Sequence, residues 1–234
     1  MFFLVQATDY HRHRNLLDRM YRLRKRVFHD ELEWDVPVIG EFERDAYDDL
    51  SPAYLLWTDE ERTTVYGSLR LLPTTGPTLL NDVFRRTYPK DLDLCHPTIW
   101  EGTRMCIDAD EIAQDMPEID PQQAMCMMLL ALAECGLDNG IHTLISNYEP
   151  HMKRIYKRAG APLTEVGKAD GYGRRPVCCG LFEVSRRTIA QMREKMELSG
   201  LYVRDGAKRP SGAANAAWMS GGAGDQRSSW INAA

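Results

Sequence analysis

Short strand-like runs of apolar residues alternate along the chain with helical stripes. "FFLVQAT" (2–8) reads as an opening strand. Over 14–28, Leu16, Leu17, Met20, Leu23, Val27 and Phe28 recur at helical spacing and make one apolar stripe. Residues 30–51 carry little regular pattern. "AYLLWTD" (53–59) and "TTVYGSLRLL" (63–72) form a hairpin pattern with "EER" in the turn. "PTTGPTLL" is a loop, 79–88 a short helix, and "TIWEGTRMCID" (98–108) the next strand, stopped by the hydrophilic run from Ala109. Asp120, Pro121 and Gln123 then punctuate a helix start as N-cap, first helical residue and capping-box partner. That helix is apolar almost all round, which predicts burial, and it stops at Gly140. "IHTLISN" (141–147) is a strand, 150–159 a basic helix ended by Gly160, 175–184 a late strand and 186–198 a last helix. Strands and helices mix within one core, so a single α/β or α+β domain over 1–204 is expected. From 205 to 234 small residues dominate, and a flexible low-complexity tail is expected.

Composition narrows this little: 44% hydrophobic and 27% charged residues suit an ordinary globular core. No apolar run approaches the roughly 18 residues of a membrane span, and the N-terminal stretch is too short for a signal peptide. A cytoplasmic protein without membrane contact is expected. Cys95, Cys106, Cys126, Cys135, Cys178 and Cys179 form no CxxC pair and no metal-ligand spacing with histidine, so reduced thiols and no metal are expected. A net charge of −5 argues against a nucleic-acid partner. The charge is uneven, however. Residues 11–26 and 151–158 are basic, and 30–49 mainly acidic.

The informative residues are charges inside apolar frames. Arg24 follows Met20 by four residues and precedes Phe28 by four, on the apolar stripe of its helix. Arg70 sits between Leu69 and Leu71 in a strand, and Glu101 and Arg104 interrupt "WEGTRMCID". A regular strand would send Glu101 and Arg104 to opposite faces, and a bulge near Gly102 would bring them together. Buried guanidinium groups need partners, and Asp45, Asp48 and Glu101 are the candidates. Two readings stay open on residues alone. One is a structural ion-pair network. The other is a polar pocket for a charged small molecule, with Phe28 and Trp34 as walls suited to an adenine ring or a sulfonium.

Arg24, Phe28, Trp34, Asp45, Asp48, Arg70, Phe84, Glu101 and Arg104 resemble, in order and spacing, the signature of the acyl-homoserine-lactone synthases (the autoinducer synthases). The similarity runs over about residues 1–184, and "WDVPVIG", "ISNYEPHMKRIYKRAG" and "RPVCCG" look like the branch found in rhizobia. The resemblance implies a GCN5-related N-acetyltransferase-like fold: a twisted mixed sheet, flanking helices, and a V-shaped cleft between splayed strands, here 98–107 and 141–147. It implies synthesis of an N-acyl-homoserine lactone from S-adenosylmethionine, a substrate and not a cofactor. The acyl thioester would be carried by acyl carrier protein, or in some members by coenzyme A.

On the same resemblance, Arg104 takes the substrate carboxylate, and Asp45 and Asp48 hold the ammonium or orient Arg24. Phe28 and Trp34 wall the adenosylmethionine pocket. Glu101 pairs with Arg70 and steers a water that accepts the amine proton. Leu72, Phe84, Met105, Met125, Met128, Leu129, Thr143 and Leu144 are expected along the acyl chain, with Thr143 near a C3 oxygen. Lys153, Arg154, Lys157 and Arg158 are expected to dock the acidic carrier protein. A conventional acetyl-coenzyme A-dependent acetyltransferase is disfavoured, because 107–121 contain no glycine for a pyrophosphate turn. A binding module without catalysis is the remaining alternative.

Overall fold

The computed structural model describes residues 1–205. β1 (Phe2–Val5) is followed by α1 (Arg14–Arg24), which loosens into π-helical turns over Lys25–Glu31. A two-residue hairpin, β2 (Val38–Ile39) and β3 (Phe42–Glu43), leads to a 3-10 turn at Ala46–Leu50. Then come β4 (Ala53–Thr58), β5 (Val65–Pro73), α2 (Leu79–Asp82), β6 (Ile99–Ile107), α3 (Ala109–Asp115) and α4 (Pro121–Asp138). The chain closes with β7 (Thr143–Tyr148), α5 (Lys153–Ala159), β8 (Leu163–Ala169), β9 (Val177–Glu183) and α6 (Arg186–Met196). The seven long strands form one sheet in the order β1-β4-β5-β6-β7-β9-β8, and among these seven strands of the described residues β6 and β7 are the parallel pair. This is the α+β architecture expected.

Each face of the sheet is covered by helices. Leu55, Leu71, Met105, Ile107 and Leu144 pack beneath α4, which is buried along most of its length. Its start carries the expected capping box between Asp120 and Gln123. The opposite face carries α1 and the π-helical turns after it, with Leu16, Met20 and Val27 packed on Phe3, Tyr54, Leu56 and Cys106. Beside it, Leu80, Tyr88, Leu94, Ile145 and Cys179 form a smaller cluster on the same face.

Five elements depart from the sequence reading. β2 and β3 lie in the stretch read as patternless. α3 occupies the acidic run read only as a strand stop, nucleated by the Asp108 carboxylate accepting from the Glu111 N–H. β8 was not anticipated, because "LTEVGKA" is a half-exposed edge strand without clean alternation. The helix read over 79–88 is one turn, after which Phe84 leaves the helix and a 3-10 turn follows at Arg85–Thr87. The chain also stays attached one residue past the expected domain boundary. Asp205 ion-pairs with Arg62 at 2.6 Å and meets His13 Nε2 at 2.8 Å. The rest of the expected tail, 206–234, lies outside the described residues.

The sheet parts where the family resemblance implied a cleft. β6 and β7 pair at Ile99↔Thr143, Trp100↔Leu144 and Glu101↔Ile145, and no further. Both strands continue, to Ile107 and Tyr148, so they diverge from Glu101 onward. No helix of the described residues is long and apolar enough to cross a membrane.

Candidate functional site

The strand that diverges is also the strand that bulges. β5–β6 pairing runs Leu71↔Gly102 and Arg70↔Thr103, then resumes at Ser68↔Cys106. Gly102 is therefore regularly paired, and the expected bulge lies two residues later, at Arg104. Arg104 takes φ +54°, a left-handed conformation that costs a non-glycine residue about 1–3 kcal/mol. The extra residue puts Glu101, Thr103 and Arg104 on one face and returns Met105 to the α4 face.

On the Arg104 face the three arginines meet three carboxylates. Arg24, at the last turn of α1, reaches Glu43 at 2.5 Å and clamps Asp48 with both terminal nitrogens at 2.8 and 2.9 Å. Arg70 reaches Asp45 at 2.5 Å, Asp48 at 3.0 Å and the Thr103 hydroxyl at 3.0 Å. Arg104 donates to Glu43 from Nε at 3.1 Å and to Asp45 from Nη2 at 3.0 Å. Asp45 is the N-cap of the 3-10 turn, and Asp48 accepts from its backbone N–H, so a capping box presets both carboxylates. The Tyr54 hydroxyl adds a further donor to Asp48. Asp45 thus holds Arg70 and Arg104, while Asp48 orients Arg24.

Formal charges in this cluster cancel, but the three guanidiniums are not equal. Burial works against the charge on Arg24, yet Asp48 and Glu43 outweigh it and hold its pKa above the ordinary value. Burial also acts on Asp48, and the Arg24 charge overcomes it, so that carboxyl stays well below the usual range. Arg104 goes the other way. Burial, with the neighbouring charges of Arg24 and Arg70, lowers its pKa despite Glu43 and Asp45. Its Nη1 has no acceptor among the described residues. Phe28 lies beneath it, with the guanidinium 5.6 Å from the ring centre. Trp34 stacks on Phe28 at 5.2 Å and 20°. The π-helical turns end there with the Trp34 N–H bonded to the Phe28 carbonyl.

Glu43 was missed by the sequence reading. It is fully buried and bridges Arg24 to Arg104. Its only signal was a place beside Phe42 in an acidic run where another carboxylate carries no surprise.

Glu101 corrects the expectation in the opposite sense. It makes no ion pair with Arg70, whose donors are taken by Asp45, Asp48 and Thr103. Its side chain is fully buried, and neither oxygen has a well-aligned partner among the described residues. Burial pushes its pKa up to about 8, only partly offset by the N–H groups of Leu80 and Leu79 and by Arg70. It stands at the point where β6 and β7 part.

Behind the splay, on the α4 face, lies a narrow cavity of about 40 Å³. Of the residues expected along an acyl chain, Met105, Leu129 and Leu144 line it. Leu72, Phe84, Met125, Met128 and Thr143 do not. Leu72 pairs with Glu101 and shares its face. Phe84 packs on Tyr172 at 5.0 Å. Met125 and Met128 sit one turn nearer the α4 N-terminus, in the core. Thr143 alternates with Leu144 and falls on the Ile145 side. Leu69, Leu132, Ala133 and Phe182 complete the wall instead, and the Tyr156 hydroxyl lies against Ser146 in it. The expected docking cations are unequal too. Lys153 is paired with Glu165 and Arg158 with Asp120, which leaves Arg154 and Lys157 without ion-pair partners among the described residues.

Comparisons with known proteins agree with this geometry. The family model described as autoinducer synthase matches residues 8–192. An acyl-homoserine-lactone synthase of Rhizobium etli is 39% identical over 163 residues, covering 66% of this chain and 74% of that protein. One of Agrobacterium fabrum is 32% identical over 190 residues, covering 80% and 88%. Among solved structures, the AHL synthase LasI aligns with a TM-score of 0.70 at 27% identity, covering 86% of this chain and 96% of its own. BjaI, described as a CoA-dependent acyl-homoserine lactone synthase with SAM and isopentyl-CoA, shares the fold with a TM-score of 0.76 at 24% identity, covering 89% and 95%. The chain belongs to the autoinducer synthases, the acyltransferase family of acyl-homoserine-lactone synthases.

Proposed function

We propose that the chain joins S-adenosylmethionine to an acyl group carried on acyl carrier protein, with Glu101 as the group that takes the amine proton. The carrying observation is a buried carboxylate without a cationic partner, at the splay and on the face that bears Arg104. A carboxylate paired with arginine would be a weak base; this one has its pKa near the working range of a general base.

The substrate carboxylate docks on Arg104, whose Nη1 is free to donate and whose charge is opposed by burial and by the neighbouring guanidiniums of Arg24 and Arg70. The sulfonium and adenine lie along Phe28 and Trp34. The α-amine attacks the thioester carbonyl, a C–N bond forms, and the C–S bond to the carrier breaks. The amine proton passes to Glu101 and on to the departing thiolate. The carboxylate then attacks its own γ-carbon, closing the lactone and expelling methylthioadenosine. Orientation by the arginine cluster supplies much of the acceleration. Incubation with S-adenosylmethionine and acyl carrier thioesters, followed by mass spectrometry, should yield the lactone and methylthioadenosine. Absence of both with every acyl length tried sinks the reading.

The acyl chain occupies the cavity beneath α4, and an oxygen at C3 would meet Ser146 rather than Thr143. Ala133→Leu should fill part of that cavity and cut kcat/KM for the longest accepted acyl donor at least about tenfold, sparing short ones. An unchanged chain-length profile would remove the cavity from the reaction. Carrier docking is supported by Arg154 and Lys157, the unpaired cations of α5. The double reversal Arg154→Glu, Lys157→Glu should raise KM for acyl carrier protein about tenfold at low salt, and KM for acyl-coenzyme A less. Equal KM values for wild type and variant would move the carrier to another face.

A further inference from the structure

Among the described residues, the buried side-chain oxygens without a hydrogen-bond partner are the two of Glu101 and Oδ1 of Asn147. They sit on neighbouring strands. Glu101 is opposite Ile145, the last paired residue of β7, and Asn147 lies two residues further along, on the same face by alternation. Asn147 is 2% exposed. Its amide cannot be turned to hide the problem. Nδ2 donates to Thr87 Oγ1 at 2.9 Å and faces the Cys178 carbonyl at 3.4 Å. The Thr87 hydroxyl already donates to the Phe84 carbonyl at 2.7 Å, so toward Asn147 it can only accept. Oδ1 is therefore the free end. The neighbourhood is shared with Glu101: Cys179, opposite Asn147 in the β7–β9 register, feels the Glu101 charge.

Leaving acceptors buried without donors is costly, and native interiors satisfy them with protein groups, ordered water or a ligand. A substrate group that meets them at the splay has to bring more than one donor into a small space. We propose that Asn147 Oδ1 is a substrate-binding acceptor that, together with Glu101, holds the attacking α-amine of S-adenosylmethionine. The inference rests on the proposed function and adds a residue to it. As an ammonium, the group has three N–H bonds to share among Asn147 Oδ1 and the two Glu101 oxygens, which the N–H groups of Leu79 and Leu80 approach without good alignment. Once one proton has moved to Glu101, the neutral amine keeps two, one for Asn147 and one for the Glu101 carboxyl. Its lone pair then points away from both, toward the thioester carbon. The C–N bond forms as the C–S bond breaks, the proton held by Glu101 goes to the departing thiolate, and the freed Glu101 carboxylate takes the second nitrogen proton as the amide forms and releases it to solvent.

The test compares binding of S-adenosylmethionine with that of its analogue lacking the α-amino group, by calorimetry, in wild type and Asn147→Leu. Leucine keeps the volume and removes the acceptor. Wild type should favour the amine-bearing ligand at least about tenfold, and the variant about threefold or less. In turnover, kcat should fall about thirtyfold while KM for the acyl donor stays within about twofold. Thr87→Val, which only unfastens the amide, should give a smaller loss of the same kind. An Asn147→Leu protein that folds, yet keeps the wild-type preference and kcat, overturns the proposal; if that variant fails to fold, an unchanged preference and kcat in Thr87→Val does so. A wild type that neither binds S-adenosylmethionine nor makes lactone overturns the underlying reading instead.

Discussion

Glu101→Gln should lose roughly a hundredfold or more in kcat and yet fold more stably than wild type at pH 8. The two effects share one cause. In the folded chain burial keeps the carboxyl protonated up to about 8, against an ordinary 4.5. Between those pH values the unfolded chain binds fewer protons than the folded one, so stability present below about 4.5 is lost as pH rises through 8. Glutamine removes that loss because it has no proton to give up. The same protonation works against catalysis, since only the carboxylate can accept the amine proton. Wild-type kcat should therefore rise with pH toward 8, and the variant should lack that limb. Thermal unfolding at pH 6 and pH 8, with a pH–rate profile, tests both arms. Near-full turnover in Glu101→Gln at saturating substrates would exclude the carboxylate as proton acceptor.

Glu43→Ala should be the most destabilising single change in the ion cluster, costing about 3–5 kcal/mol and lowering Tm by roughly 10 °C. Glu43 is fully buried and carries one oxygen to Arg24 and the other to Arg104. Removing it leaves two enclosed guanidiniums short of an anion. It also frees the Nε of a residue held at positive φ, so the Arg104 fork loses its aim. By contrast, Glu31, which pairs with Arg26 at 3.7 Å with both side chains about two-fifths exposed, should cost within about 0.5 kcal/mol when changed to alanine. Denaturant melts of the two variants make the comparison. A Glu43→Ala protein as stable as Glu31→Ala would mean that the cluster is hydrated and its geometry loose.

The arginine cluster was largely legible before any coordinates, because each member broke a local rule. Arg24 on an apolar stripe, Arg70 between leucines and Arg104 in a strand are visible where a charge is unexpected. Glu43 obeyed its surroundings, an acidic loop, and stayed hidden. Met125 and Met128 were expected along the acyl path on the family resemblance, but α4 is apolar all round, and such a helix does not reveal which face meets a cavity and which meets the sheet. The partner of Glu101 was misread for a related reason. Opposite charges were counted, while the geometry that gave all of Arg70's donors to others was not.

The parting of the two strands was implied by the family resemblance; the sequence by itself determined most of the element types, the capping box of α4 and the identity of the charged residues that need enclosure. These follow from periodicity, cap chemistry and the cost of burying a charge, all local quantities. Only the tertiary structure decided where β6 bulges, because a bulge is a relation between β6 and β5. It alone decided that Glu101 makes no ion pair with the arginines and that the neighbouring strand brings Asn147 to its face. Pairing among buried charges depends on which donors each neighbour has already committed, and that is settled by distances no linear pattern contains.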